Sequence, residues 1–183
     1  MNRVFKSSLA AVALVAAGGA IAAQKNPMVG GAAMYPTKTI VENAVASKDH
    51  TTLVAAVKAA DLVETLSGPG PFTVFAPTNA AFAKLPAGTV DTLVKPESKA
   101  TLTSVLTYHV LPGKVMAADI SAKAKANNGT ATYATVQGGS LSFHKKGSGY
   151  AIMDGKNNMG MITIANVNQS NGVIHVIDTV MMP

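Results

Sequence analysis

Gly70-Pro71-Phe72-Thr73-Val74-Phe75-Ala76-Pro77-Thr78-Asn79-Ala80-Ala81-Phe82 is the stretch from which the fold can be read. The run Gly68-Pro69-Gly70-Pro71 ends whatever helix precedes it. The residues that follow alternate as a strand does, with Phe72, Val74 and Ala76 on one side and Thr73 and Phe75 on the other. Pro77 has no N–H to donate and closes the strand. Thr78 is placed to cap a helical turn over 79–82, and the Asn79 side chain to satisfy local backbone groups at that turn.

Upstream, the pattern is helical. Thr37 can cap a short helix with Ile40, Val41, Ala44 and Val45 on its apolar side, and Asp49 a second with Leu53, Ala56, Val57 and Ala60 on one face. Residues 24–36 read as an irregular lead-in rich in Gly, Pro and Met. Downstream, Pro86 and Pro96 suit first-turn positions and delimit helices near 87–94 and 97–109. In the second of these, Leu102, Val105, Leu106 and His109 share one buried face. Beyond about residue 130 the period changes to two, with strands expected over 132–136, 141–144, 150–153, 161–165 and 173–180. Asp154-Gly155 and Asn171-Gly172 are hairpin signals between them. Helices first and strands later predict an α+β domain.

The chain begins with Arg3 and Lys6 ahead of the apolar run Leu-Ala-Ala-Val-Ala-Leu-Val-Ala-Ala-Gly-Gly-Ala-Ile-Ala-Ala, which starts at Leu9. That run is shorter than the roughly 20 apolar residues a bilayer span takes, and Ala20-Ile21-Ala22 is an A-x-A site. The expectation is a signal peptide over 1–22, cleaved after Ala22, then the lead-in over 23–36 and one domain over 37–183, exported to the periplasm or released. With no Cys among the 183 residues, disulfides, thiol catalysis and a cysteine-borne lipid anchor are excluded. Without Arg3 and Lys6 the chain carries 13 Lys, no Arg and 9 acids, a formal charge near +4. The absence of Arg argues against sequence-specific reading of nucleic acid.

Three stretches resemble the fasciclin domain family, also called FAS1. The first is the run from Gly70 to Phe82 quoted above. The second is Leu106-Thr107-Tyr108-His109-Val110-Leu111-Pro112-Gly113. The third is Asn171-Gly172-Val173-Ile174-His175-Val176-Ile177-Asp178. Their order and spacing agree with the family across about residues 37–183. The resemblance implies a FAS1-like, wedge-shaped β-sandwich of two small sheets with several flanking α-helices. It also implies a secreted or surface module associated with adhesion and extracellular-matrix contacts, with no common enzymatic activity and no cofactor.

It further points to Tyr108 and His109 as a binding motif, through the adhesion role of the Tyr-His region in animal members. On the helix face above, His109 continues the apolar stripe, while Tyr108 lies roughly 100° round the helix and is expected at the surface. Pro77, Thr78, Asn79, Asn171, Gly172 and His175 are expected to be structural, with His175 sharing a strand face with Val173 and Ile177. Some animal members carry an Asp-Ile pair upstream of the Asn-Gly turn; here Asn166-Val167 stands at that place, so the carboxylate is missing.

No G-x-S-x-G elbow, H-E-x-x-H helix or phosphate-binding loop is present, and the nine acids are dispersed. The expected function is therefore a non-enzymatic exported module that contacts a surface or matrix protein or glycan. The alternative is a soluble periplasmic binder of a small molecule or oligosaccharide. Met153, Met159, Met161, Met181 and Met182 leave two readings open, adaptable apolar packing or soft ligands for Cu(I).

Overall fold

The computed structural model describes residues 26–183, so the expected signal peptide lies outside the described residues. The lead-in, expected to be irregular, contains a small ribbon of β1 (Met28–Val29) and β2 (Ala32–Ala33). Gly30 and Gly31 turn it at φ of 57° and 77°, the left-handed geometry that a two-residue hairpin turn requires. Val29 and Met34 are buried, so the ribbon packs onto the domain.

The helices follow. α1 (Ile40–Ala46) starts two residues later than Thr37 would place it: Thr39 is the cap, because Glu42 completes a capping box with it. Val45, expected on the inner side, is exposed, and Asn43 is buried instead. α2 (Thr51–Ala59) follows a 3₁₀ turn over Lys48–His50 and buries Leu53, Ala56 and Val57 as expected, with Ala60 just beyond its end. Asp49 does not cap it. After α3 (Val63–Ser67) come β3 (Phe72–Pro77) and α4 (Asn79–Ala83), the latter capped by Thr78, whose Oγ1 accepts the Ala81 N–H at 3.2 Å. α5 (Thr89–Leu93) and α6 (Lys99–Tyr108) flank a 3₁₀ turn over Pro96–Ser98. β4 (Val110–Pro112) leads to α7 (Ala117–Ala126), a helix the sequence reading did not foresee. Only Ile120 and Ala124 of α7 are buried, too thin a stripe to stand out among Ala and Lys.

β5 (Thr130–Ala134), β6 (Ser140–Lys146), β7 (Gly149–Met153), β8 (Met159–Gln169) and β9 (Gly172–Ile177) complete the chain. The strand order is β4-β3-β9-β8-β7-β6-β5, with β3 and β9 parallel and the other pairs antiparallel. β8 breaks register twice, between Ile162 and Ile164 and between Ile164 and Val167. Such bulges bend a strand and raise its twist. The β5–β7 half thereby folds over the β3–β4–β9 half, and the Phe75 and Phe143 rings meet at 5.1 Å between centroids. Val136 N–H donates to the Val110 carbonyl at 2.8 Å, tying the far end of the sheet to β4. The result is the expected FAS1-like sandwich, barrel-like in closure and flanked by helices.

Two cores result. Val74 and Ala76 of β3, with Ile174 and Val176 of β9, face the helices. Phe75 and Ile177 face Leu141, Phe143 and Ile152 between the sheet halves. The opening stretch is thus a strand buried on both sides, and each large apolar residue fully buried there contributes about 2–3 kcal/mol.

Candidate functional site

Tyr108 and His109 lie where α6 ends and β4 begins. His109 is the helix C-cap, and both side chains are buried. The expectation of Tyr108 at the surface is corrected: β6 and the loop after β7 close over the end of α6. The Tyr108 hydroxyl donates to the Ser140 carbonyl at 2.6 Å and accepts the Gly155 N–H at 3.0 Å. Burial pushes its phenol above the ordinary pKa, with the Gly155 N–H working against that. One hydroxyl thus ties the start of β6, immediately after the loop over residues 135–139, to the loop over residues 154–158.

Both loops are built from turn chemistry. In the first, Gly138 adopts φ 105° and the Gln137 side-chain oxygen accepts the Gly139 N–H at 3.0 Å. In the second, Asp154 is buried and its carboxylate accepts the N–H groups of Lys156 and Asn158, each at 2.9 Å, and the Asn158 amide at 2.8 Å. It also accepts the Met182 N–H at 2.9 Å, which ties the C-terminal segment to this loop. The exposed side chains there are Val136, Gln137, Lys156, Asn157 and Asn158. In the sequence Asp154-Gly155 is a hairpin signal, and no local pattern marks Val136 or Lys156.

His109 is fixed in one tautomer. Its Nδ1 lies 2.8 Å from the Val105 carbonyl, and its Nε2 accepts the Met181 N–H at 2.9 Å. Nδ1 therefore carries the proton. Burial lowers its pKa to about 4, against the opposing pull of the Val105 carbonyl and the Asp154 charge. His175 is buried and stacks on Phe75 at 5.3 Å between centroids. Its Nε2 lies 2.9 Å from the Val115 carbonyl, and burial again lowers its pKa.

Three asparagines act at a distance. Asn79 Oδ1 accepts the Thr52 N–H at 3.0 Å, in the first turn of α2, and its amide donates to the Lys48 carbonyl at 2.9 Å. Asn171 Oδ1 accepts the Ile40 N–H of α1 at 3.0 Å, while its amide donates to the carbonyls of Leu66 at 2.8 Å and Gly68 at 3.0 Å. Asn166 Oδ1 accepts the Ala117 N–H of α7 at 2.8 Å. Each satisfies an N–H that its own helix leaves open. Asn166 sits at φ 61° within the β8 irregularity, a conformation that asparagine tolerates better than most residues. Beside it, Val167 is buried. Pro77 pairs with Ile177 at the end of β3, and Gly172 pairs with Phe72 at its start.

Among the described residues no three His, Asp or Glu side chains gather in a way that would hold a metal. A cavity of about 40 Å³ lies beneath α1, α2 and α6, lined by Ile40, Leu53, Val57 and Leu106. It is far below the roughly 300–1,000 Å³ of small-molecule pockets. An open groove of about 400 Å³ runs past Pro69, Pro71, Lys114, Ser170 and Asn171.

The fasciclin domain model matches residues 48–183. The chain belongs to the fasciclin family. It is 49% identical over 162 residues to protein sll1483 of a Synechocystis species, covering 87% of this chain and 82% of that one. It is 36% identical over 179 residues to the cell surface glycolipoprotein MPB83 of Mycobacterium bovis, covering 93% and 72%. Among solved structures, a FAS1 domain pair from the insect cell adhesion molecule fasciclin I superposes with a TM-score of 0.70 at 19% identity, over 80% of this chain and 51% of that one. That likeness shows the fold. Fasciclin-family relatives thus include a cell-surface protein, and among the described residues no helix is long and apolar enough to cross a membrane.

Proposed function

We propose that this protein is an exported, non-enzymatic contact module that engages a cell-surface or matrix protein or glycan through the two loops joined by Tyr108. The observation that carries this reading is the Tyr108 hydroxyl, bonded at once to Ser140 and Gly155. It gives the Tyr-His motif a physical role: the motif positions the contact surface from beneath. Val136, half exposed on one loop, supplies apolar contact, and Lys156 on the other supplies charge. Rigid loops on a packed scaffold suit recognition because little ordering entropy is lost on binding.

The test is attachment of the producing cells to beads coated with purified protein. Val136→Asp and Lys156→Glu are expected to abolish attachment while leaving the thermal midpoint unchanged. Tyr108→Phe keeps the ring in the core, removes both hydrogen bonds and should cost about 1–3 kcal/mol of stability along with part of the attachment. Full attachment by the first two variants would remove the loops from the proposal. Unchanged surface attachment and biofilm after gene deletion would remove adhesion.

A second reading, oligosaccharide binding, is favoured by the open groove beside Lys114 and Ser170. A glycan thermal-shift screen tests it. A ligand at a hundredfold excess over its dissociation constant adds about 2.7 kcal/mol of stability.

A further inference from the structure

The five methionines that the sequence left open are divided by the fold. Met181 is fully buried in the core between the sheet halves, and Met182 packs against the helix-side core. Met153, Met159 and Met161 lie elsewhere. Alternation along β7 and β8 turns Ile152 and Ile162 inward, so these three share the outer face of the sheet. His144 of β6 is on the same face, because Phe143 points inward.

Register places the four around one small residue. His144 pairs with Ala151, and Ala151 pairs with Met161 on its other side. Met153 is two residues further along β7 and pairs with Met159. With strands about 4.8 Å apart, the Cα atoms of His144 and Met161 are about 10 Å from one another, separated only by a methyl group. An imidazole arm and a thioether arm are together long enough to span that distance. Ala151 is on the outer face yet only 1% exposed, so its neighbours fold over it. Met161 leans across β7, its Cε lying 4.0 Å from where a Cβ on Gly149 would stand.

His144 is oriented for a ligand. Its Nδ1 lies 3.1 Å from Thr130 Oγ1, while its Nε2 is out of solvent and has no hydrogen-bond partner. Buried polar atoms are rarely left so. In the tautomer that carries its proton on Nδ1 and donates it to Thr130, Nε2 offers a bare lone pair, as metal-binding histidines do when their other nitrogen is tied down.

We propose that this face is a Cu(I) site, with His144 Nε2 and the thioethers of Met153 and Met161 as ligands. One imidazole and two thioethers form a soft set that suits Cu(I), and they offer hard divalent ions no carboxylate. Met159 pairs with Met153, and Lys146 of β6 reaches across this face to it, its ammonium 3.6 Å from the Met159 sulfur. That ammonium opposes a second cation, so Lys146 weakens the site.

Anaerobic competition of the purified protein against a chromophoric Cu(I) chelator tests the assignment. One Cu(I) per chain is expected. His144→Ala and the double variant Met153→Leu/Met161→Leu should remove binding, and Thr130→Val should weaken it about tenfold. Met181→Leu should leave it unchanged, and Lys146→Ala should tighten it. Circular dichroism establishes that each variant is folded. With Ag(I) as a substitute, the methyl resonances of Met153 and Met161 should shift and that of Met181 should not. No binding tighter than millimolar, or binding retained by His144→Ala, would overturn the proposal.

Discussion

Asn171 shows how one side chain secures several segments. Its carboxamide meets Ile40, Leu66 and Gly68, which precede it by 131, 105 and 103 positions. Replacing it by alanine leaves an N–H and two carbonyls without partners in a buried setting. Asn171→Ala is therefore expected to destabilise the protein by about 3 kcal/mol, read as a lower urea midpoint with an unchanged slope. Asn171→Asp should be no better, because a carboxylate cannot donate to two carbonyls. In the sequence this residue reads as half of an Asn-Gly turn. A two-residue turn does join β8 and β9, but it is made by Ser170 and Asn171, with Gly172 already in β9, and the reason for asparagine is not local. Asn79 repeats the lesson: its expected partners were neighbours, and its actual ones, at Lys48, Thr51 and Thr52, come from the start of another helix. Tyr108 is the converse case. Helical periodicity placed it outside, and a second layer invisible to periodicity buries it.

At the scale of elements, the parallel pair β3–β9 carries the architecture. It joins the first and third motif stretches, and each strand is buried on both faces. Their backbones approach so closely that a Cβ on Gly172 would overlap the Phe72 carbonyl oxygen. Gly172→Ala is expected to prevent correct pairing, seen as loss of soluble folded protein or a fall of several degrees in the thermal midpoint. Gly149→Ala, where the nearest side-chain atom is 4.0 Å away, should be tolerated. Strands with a clear period of two or a continuous apolar run were found from sequence to within a few residues. α7 was not, because two buried residues in ten make too faint a stripe. The bend of β8 was not either, since nothing in Ile162-Thr163-Ile164-Ala165-Asn166-Val167 marks where register slips.

For the molecule as a whole, the buried histidines tie stability to pH. The unfolded chain protonates His109 near its ordinary 6.5, and the folded one only near about 4. Between those values the unfolded state binds more protons, so stability falls as pH is lowered through that window. It is unaffected above the window, and His109 removes nothing further below it. The loss from His109 is about 3 kcal/mol. His50 and His175, also lowered by burial, act with the same sign. Urea unfolding at stepped pH should show this decline, and a flat profile from pH 7 to 4 would contradict it. The sequence by itself determined the family, the α+β class, most strands and the apolar faces of α2 and α6. These are local or short-period properties, and alternation, caps and motif order express them directly. Only the tertiary structure decided that Tyr108 is buried beneath two loops, that asparagines cap helices remote in sequence, and that His144 shares a sheet face with three methionines. Those relations depend on register across strands and on the bend of β8. Register and bending arise from long-range packing, which no window of neighbouring residues contains.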